Sequence, residues 1–192
     1  MSEKRINYQS IIITTIIALA LLAFIALRQK DSLIKYLKPE AVAVGQPAPE
    51  FTLAGLDGRM VSLSDYRGKV VWLHVWQVGS LHGREQMRYL QSLHDKYGDK
   101  GLAVLGFNCV DDRRIAQTFL RDSSVTFPTV LDSTETARRV VSVGLESRML
   151  DRPLSCIIDR EGKLVDAWYD SEKSKRRGAA AFKDVGLEVE ME

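Results

Sequence analysis

The chain has 192 residues, 45% hydrophobic and 27% charged, with a net charge of +2 and two cysteines. That length suits one domain with an attached segment. Residues 1–40 hold six Lys/Arg against three acids, which leaves 21 basic against 22 acidic residues for the remainder, so the body offers no basic face for phosphates and nucleic-acid binding is excluded.

Ile11 to Leu27 is a run of 17 uncharged residues, dominated by Ile, Leu and Ala. With Tyr8 as an interfacial residue the run reaches about 20 residues and roughly 30 Å of helix, enough to span a bilayer. We expect an uncleaved single-span anchor within residues 1–28; the alternative, a cleaved signal peptide, lacks a small-x-small site after the apolar run. Lys4 and Arg5 precede the span, and Arg28, Lys30, Lys35 and Lys38 follow it. This count alone favours a cytoplasmic domain. Residues 29–43 form a juxtamembrane linker, in which Leu33, Ile34 and Leu37 allow either an amphipathic stub ended by Pro39 or a solvated connection.

Val44 to Leu53 is Pro-rich and suits an exposed edge, with Phe51 and Leu53 on one side of an extended chain. Leu56 to Arg59 carries an Asp-Gly hairpin signal, and Met60 to Leu63 is its return strand. Val70 to Trp76 is a β-branched and aromatic run, the mark of a buried central strand. A loop over Gln77 to His82 leads to a helix that starts near Gly83, spaces Met87, Leu90, Leu93, His94 and Tyr97 helically, and ends at Gly98.

Leu102 to Cys109 reads as a second apolar strand, and Asp111-Asp112 caps a helix holding Ile115, Phe119 and Leu120. Phe127 to Asp132 is a short strand or turn, and Thr134 to Val143 another helix. Leu154 to Asp159 and Lys163 to Tyr169 form a closing hairpin. Alternating strands and helices with a terminal hairpin predict an α/β sandwich with a mixed sheet. The tail, 171–192, has few apolar residues, so we expect it to be loose or ordered only against a partner. Its Lys173, Lys175, Arg176 and Arg177 suit anionic lipid, an acidic partner or plain solvation.

Several of these stretches resemble thioredoxin-like proteins, closest to the membrane-anchored TlpA/ResA-like branch of the redoxin (AhpC/TSA-related) group. Val44 to Leu53 matches the entry motif Gly-x-x-Ala-Pro-x-Phe-x-Leu, and Leu63 to Lys69 matches the approach to the central strand. In the group the strand ends Phe-Trp-Ala, a Trp-Cys-Pro-Pro-Cys loop follows, and Arg-Glu-Glu-Met continues. Here Trp76, Arg84, Glu85 and Met87 take the expected places, but Ser80 and Gly83 occupy the cysteine positions. The resemblance covers residues 44–170 and implies a thioredoxin-like sandwich with a mixed central sheet. It also implies a domain on the extracytoplasmic face of the plasma (inner) membrane, against the charge count. Pro153, after Arg152, sits where the group has a cis-proline loop facing its dithiol. A polypeptide groove rimmed by Trp76, Leu81, His82, Arg152 and Pro153 is the implied binding site.

Thiol–disulfide exchange needs an attacking thiolate and a resolving thiol, and neither Ser80 nor Gly83 supplies one. Cys109 and Cys156 fall in predicted strands, which the resemblance puts on either side of the central one, too far apart to bridge; we expect both to be core residues. His74, His82 and His94 lie on separate elements, and Ser80 with His82 has no orienting carboxylate, so no metal, cofactor or nucleophile–base pair is expected. The expected function is a non-catalytic, membrane-anchored interaction subunit of a membrane complex, whose partners are the bilayer and other protein subunits rather than a small molecule. The alternative is a TlpA/ResA-type thiol-disulfide oxidoreductase, or a cytochrome or oxidase assembly factor, using a non-standard site.

Overall fold

The computed structural model describes residues 42–132 and 153–190 together with Phe24, which is helical and exposed. The chain divides into two compact units, Met1–Glu40 and Ala41–Glu192. The anchor residues Tyr8, Ile11 and Leu27, the linker up to residue 41, the helix expected over Thr134 to Val143, and Arg152 lie outside the described residues. Among the described residues, no helix is long and apolar enough to cross a membrane.

Among the described residues the second unit holds seven strands and three α-helices: β1 (Thr52–Ala54), β2 (Met60–Ser62), β3 (Val70–Trp76), α1 (Leu81–Tyr97), β4 (Leu102–Asn108), α2 (Arg113–Asp122), β5 (Thr129–Leu131), β6 (Leu154–Ile158), β7 (Leu164–Tyr169) and α3 (Ser174–Asp184). The main sheet runs β5-β4-β3-β6-β7, with β1 and β2 as a separate hairpin. β3 pairs in parallel with β4 and antiparallel with β6, so the sheet is mixed. Its most β-branched and aromatic strand takes the centre, where both faces are covered, and every residue of β3 is buried.

Alternation along β3 divides the core. Val71, Leu73 and Val75 join Phe51, Leu105, Phe107 and Leu154 on one face. Val70, Trp72 and Trp76 join Met87, Leu90 and Leu93 of α1, Ala116 of α2, and Ala181 and Phe182 of α3 on the other. Trp72 is the hub of this second face, with ring centroids 5.5 Å from both Trp168 and Phe182.

The structure corrects the expectation of a loose tail. Residues 174–184 form α3, which buries Ser174, Gly178, Ala181 and Phe182, and Leu187 beyond it is buried too. Few apolar residues suffice because contact replaces bulk. A Cβ on Gly178 would lie 2.3 Å from the Trp72 ring, so only glycine lets the helix backbone rest on that indole. Arg177 then grips Asp166 of β7 through two hydrogen bonds of 2.6 Å each.

Candidate functional site

The chain leaves the sheet at the carboxyl end of β3, crosses 77–80 and enters α1. Helix α1 begins at Leu81, two residues before the position expected from composition, because Ser80 is its N-cap. Ser80 Oγ accepts from the Gly83 amide at 3.1 Å and satisfies one of the helix's first donors. The hydroxyl at the first cysteine position thus has a structural task. A second tie comes from the neighbouring crossover: Asp111 Oδ2 accepts from the Val78 amide and from Asn108 Nδ2, each at 2.7 Å. Asp111 therefore braces the loop, while Asp112 alone caps α2.

Ser80, Gly83 and Pro153 converge. A Cβ built on Gly83 would lie 3.3 Å from Pro153 Cγ and 3.3 Å from Ser80 Cβ. Leu81 and His82 are exposed, and His82 Nδ1 lies 3.9 Å from a Glu85 carboxylate oxygen. Trp76 takes a different place from the rim proposed for it. It is 1% exposed and packs on Phe119 with ring centroids 5.2 Å apart, so it supports the loop from beneath. The Pro153 carbonyl is already taken by the Asp170 amide at 3.0 Å. No peptide bond among the described residues is cis, and the Arg152–Pro153 bond starts outside them.

The two cysteines lie on the other face of the sheet from α1. Cys156 lies on β6 and Cys109 one residue past the end of β4; both are buried, and neither is in a disulfide. Both belong to the hydrophobic cluster on the sheet face away from α1. Burial, reinforced by Asp111 and Asp132, pushes the Cys109 thiol up to about 12; burial, with Asp166 behind it, does the same for Cys156.

Beneath Gly83 lies a polar cluster that sequence reasoning missed. His74, in the middle of β3 and fully buried, has Nδ1 3.1 Å from Ser155 Oγ and 3.2 Å from Asp170 Oδ2. Ser155 Oγ donates to Asp170 Oδ1 at 2.9 Å, and Ser174 at the start of α3 reaches the same oxygen at 3.4 Å. Burial holds the His74 pKa below its ordinary value, against the pull of Asp170 and of the Gly83 and Leu154 backbone. The one sequence signal was a histidine inside an otherwise apolar strand; its partners arrive from β6 and from the end of β7.

A mixed sheet centred on β3, with a capped helix starting at its carboxyl end and a proline facing that start, is a thioredoxin-like arrangement. The chain belongs to the AhpC/TSA family, whose pattern matches residues 44–167. The thiol-disulfide oxidoreductase ResA of Geobacillus thermodenitrificans (strain NG80-2) is 32% identical over 156 residues, 81% of this chain and 85% of that protein. ResA of Bacillus subtilis (strain 168) is 28% identical over 126 residues, 66% of this chain and 67% of the relative. Among solved structures, a DsbF homologue from Corynebacterium diphtheriae matches with a TM-score of 0.60 at 26% identity, over 72% of this chain and 85% of its own. A thiol:disulfide interchange protein from Chlorobium tepidum TLS matches with a TM-score of 0.66 over 76% and 99%, and at 17% identity that likeness is one of fold.

Proposed function

We propose that this chain is a thiol-independent, polypeptide-docking member of the ResA-like group, serving as an interaction subunit of a membrane complex. One observation carries the reading: at the corner where the resemblance places a dithiol, Ser80 Oγ is a helix cap, and Gly83, facing Pro153, has no side chain. Without sulfur there, no mixed disulfide forms and electrons have no route in or out. Docking needs none, because backbone pairing and exposed side chains such as Leu81 and His82 hold an extended chain without covalent help. Ile11 to Leu27 would anchor the chain in the plasma (inner) membrane, with the domain on the extracytoplasmic face. The direct test is an insulin-reduction assay on the full chain, in which sustained turnover would sink the proposal.

A second reading has its own support. The ResA relatives are named thiol-disulfide oxidoreductases, and taken alone they favour redox work over a purely structural role. That chemistry would have to run through Cys109 or Cys156. Alkylation of the native protein separates the two: at a thiol pKa of about 12 roughly one thiol in 10⁵ is ionised at neutral pH, so labelling should be slow. Rapid labelling of either cysteine would support the redox reading.

A further inference from the structure

Within helix α2, Ala116 is the one fully buried residue, and the other large apolar side chains stay near the surface. Phe119 is half-buried and Ile115 is 54% exposed. These two stand one turn apart on a single stripe of the helix. Together with Val78, from the loop before Ser80, they line an open groove of about 640 Å³. Its floor is held from behind: Phe119 packs on the Trp76 ring, and Asp111 Oδ2 accepts from the Val78 amide at 2.7 Å. A floor fixed before binding loses little freedom on binding.

The stripe is closed by an acid at each end. Asp112 lies one turn before Ile115 and Asp122 one turn after Phe119, and both line the groove. Along the helix they are about 15 Å apart, with the two apolar side chains between them. Among the described residues of the lining, Arg114 is the one cation, and it stands to the side of the stripe. Arg121, outside the lining, pairs with Asp122 at 3.3 Å, but both side chains are exposed, and such a pair is worth little and readily exchanged.

This arrangement selects its occupant. A second copy would set carboxylates against carboxylates whichever way the two helices ran, so the stripe is not self-complementary. An anionic lipid surface meets the same repulsion. The charge complement is an apolar centre with a cation at each end. A helix rises by the same step as α2, so Lys or Arg at i and i+10, with large apolar residues at i+3 and i+7, meets all four positions of the stripe in register. The pattern reads the same in either direction.

We infer that the groove between Val78 and α2 is a docking site for an amphipathic helix of a partner protein, basic at i and i+10 and apolar at i+3 and i+7. It is a second surface beside the corner of Leu81 and His82, and neither surface needs the other in order to bind.

The test is fluorescence anisotropy of an alanine-based helical peptide of about 18 residues, with Lys at i and i+10 and Leu at i+3 and i+7, titrated with the full chain in uncharged detergent micelles. Empty micelles set the background. The parent chain should bind with a dissociation constant below about 1 mM, and a peptide with Glu in place of both Lys should bind at least about tenfold more weakly. Ile115→Lys should weaken the Lys peptide at least about tenfold. Asp112→Asn with Asp122→Asn keeps a capping side chain on α2 while removing both charges, and should weaken binding about fivefold and flatten its salt dependence. Absent binding by the parent overturns the inference, as does equal binding of the two peptides or undiminished binding by Ile115→Lys. A parent that scatters light as a dimer, and as a monomer once Ile115→Lys is made, overturns it in favour of a second copy. Should Ile115→Lys not fold, Thr118→Arg, at an exposed position of the lining, replaces it, and the comparison of the two peptides needs no variant. Unfolded, carboxymethylated lactalbumin tests the corner separately through Leu81→Lys. If lactalbumin fails to bind while the helix binds, the docking reading falls and the groove stands; the reverse result sinks the groove alone.

Discussion

Two glycines on the same face of the sheet do opposite things. Gly178 lets α3 rest on Trp72, and a Cβ there would overlap the indole at 2.3 Å; the contact is aromatic and dry. Gly83 opens α1 above the His74–Asp170 pair, and a Cβ there would meet Pro153 and Ser80 at 3.3 Å, tight but within reach of a small adjustment. The first glycine is imposed by packing. The second leaves room for a side chain, so its lack of one is a matter of chemistry at the site rather than of fold. The contrast shows where packing specifies this domain rigidly and where it leaves room for a side chain.

The largest effect should come from closing the first of these spaces. Gly178→Val forces a branched side chain into the Trp72 ring and should cost about 3 kcal/mol or more in urea unfolding. A near-neutral result would mean that α3 slides easily over the sheet, which would erase the contrast. Next comes the polar side. Asp170→Ala strips acceptors from His74 Nδ1, Ser155 and Ser174, and should cost about 2 kcal/mol at neutral pH.

The pH dependence follows from the same residue. The His74 pKa is lowered in the folded state, chiefly by burial, so the unfolded chain binds that proton more readily. Stability from this source is complete above the ordinary imidazole value, about 6.5, and declines as the pH falls through it towards the lower folded value. His74→Leu should flatten that decline in chemical-denaturation curves taken across the acid range.

The fold was legible where side-chain periodicity and backbone role agree. The β-branched run of Val70 to Trp76 could only be a buried strand, and the Asp57-Gly58 turn and the closing hairpin appear where expected. The place of the candidate site was legible too, because Ser80 and Gly83 stand in register with Trp76, Arg84 and Met87. What was hidden depends on contacts distant in sequence. Gly178 counts against a helix by propensity, yet here it is what lets α3 dock; nothing local announces that Trp72 waits beneath it. His74 read as isolated because Ser155 and Asp170 reach it only through the β3–β6–β7 pairing. The resemblance placed Trp76 on the rim, but strand alternation turns it inward.

The smallest stability effects test whether the site is free of packing constraint. Ser80→Ala removes the cap on α1 and should cost about 1 kcal/mol. Gly83→Ala trades a close approach to Pro153 against better helix propensity, and should stay within about 1 kcal/mol of the parent. If so, Ser80→Cys with Gly83→Cys should fold, and the double variant should gain insulin-reduction turnover that neither single variant shows, since exchange needs both attacking and resolving sulfurs. A thiolate at position 80 would also sit at the start of α1, where the helix dipole favours the anion. A double variant that folds yet stays inactive would mean that this corner differs from a redox site by more than two side chains. His74 and Asp170, beneath Gly83, would then be the first place to look for the rest of the difference.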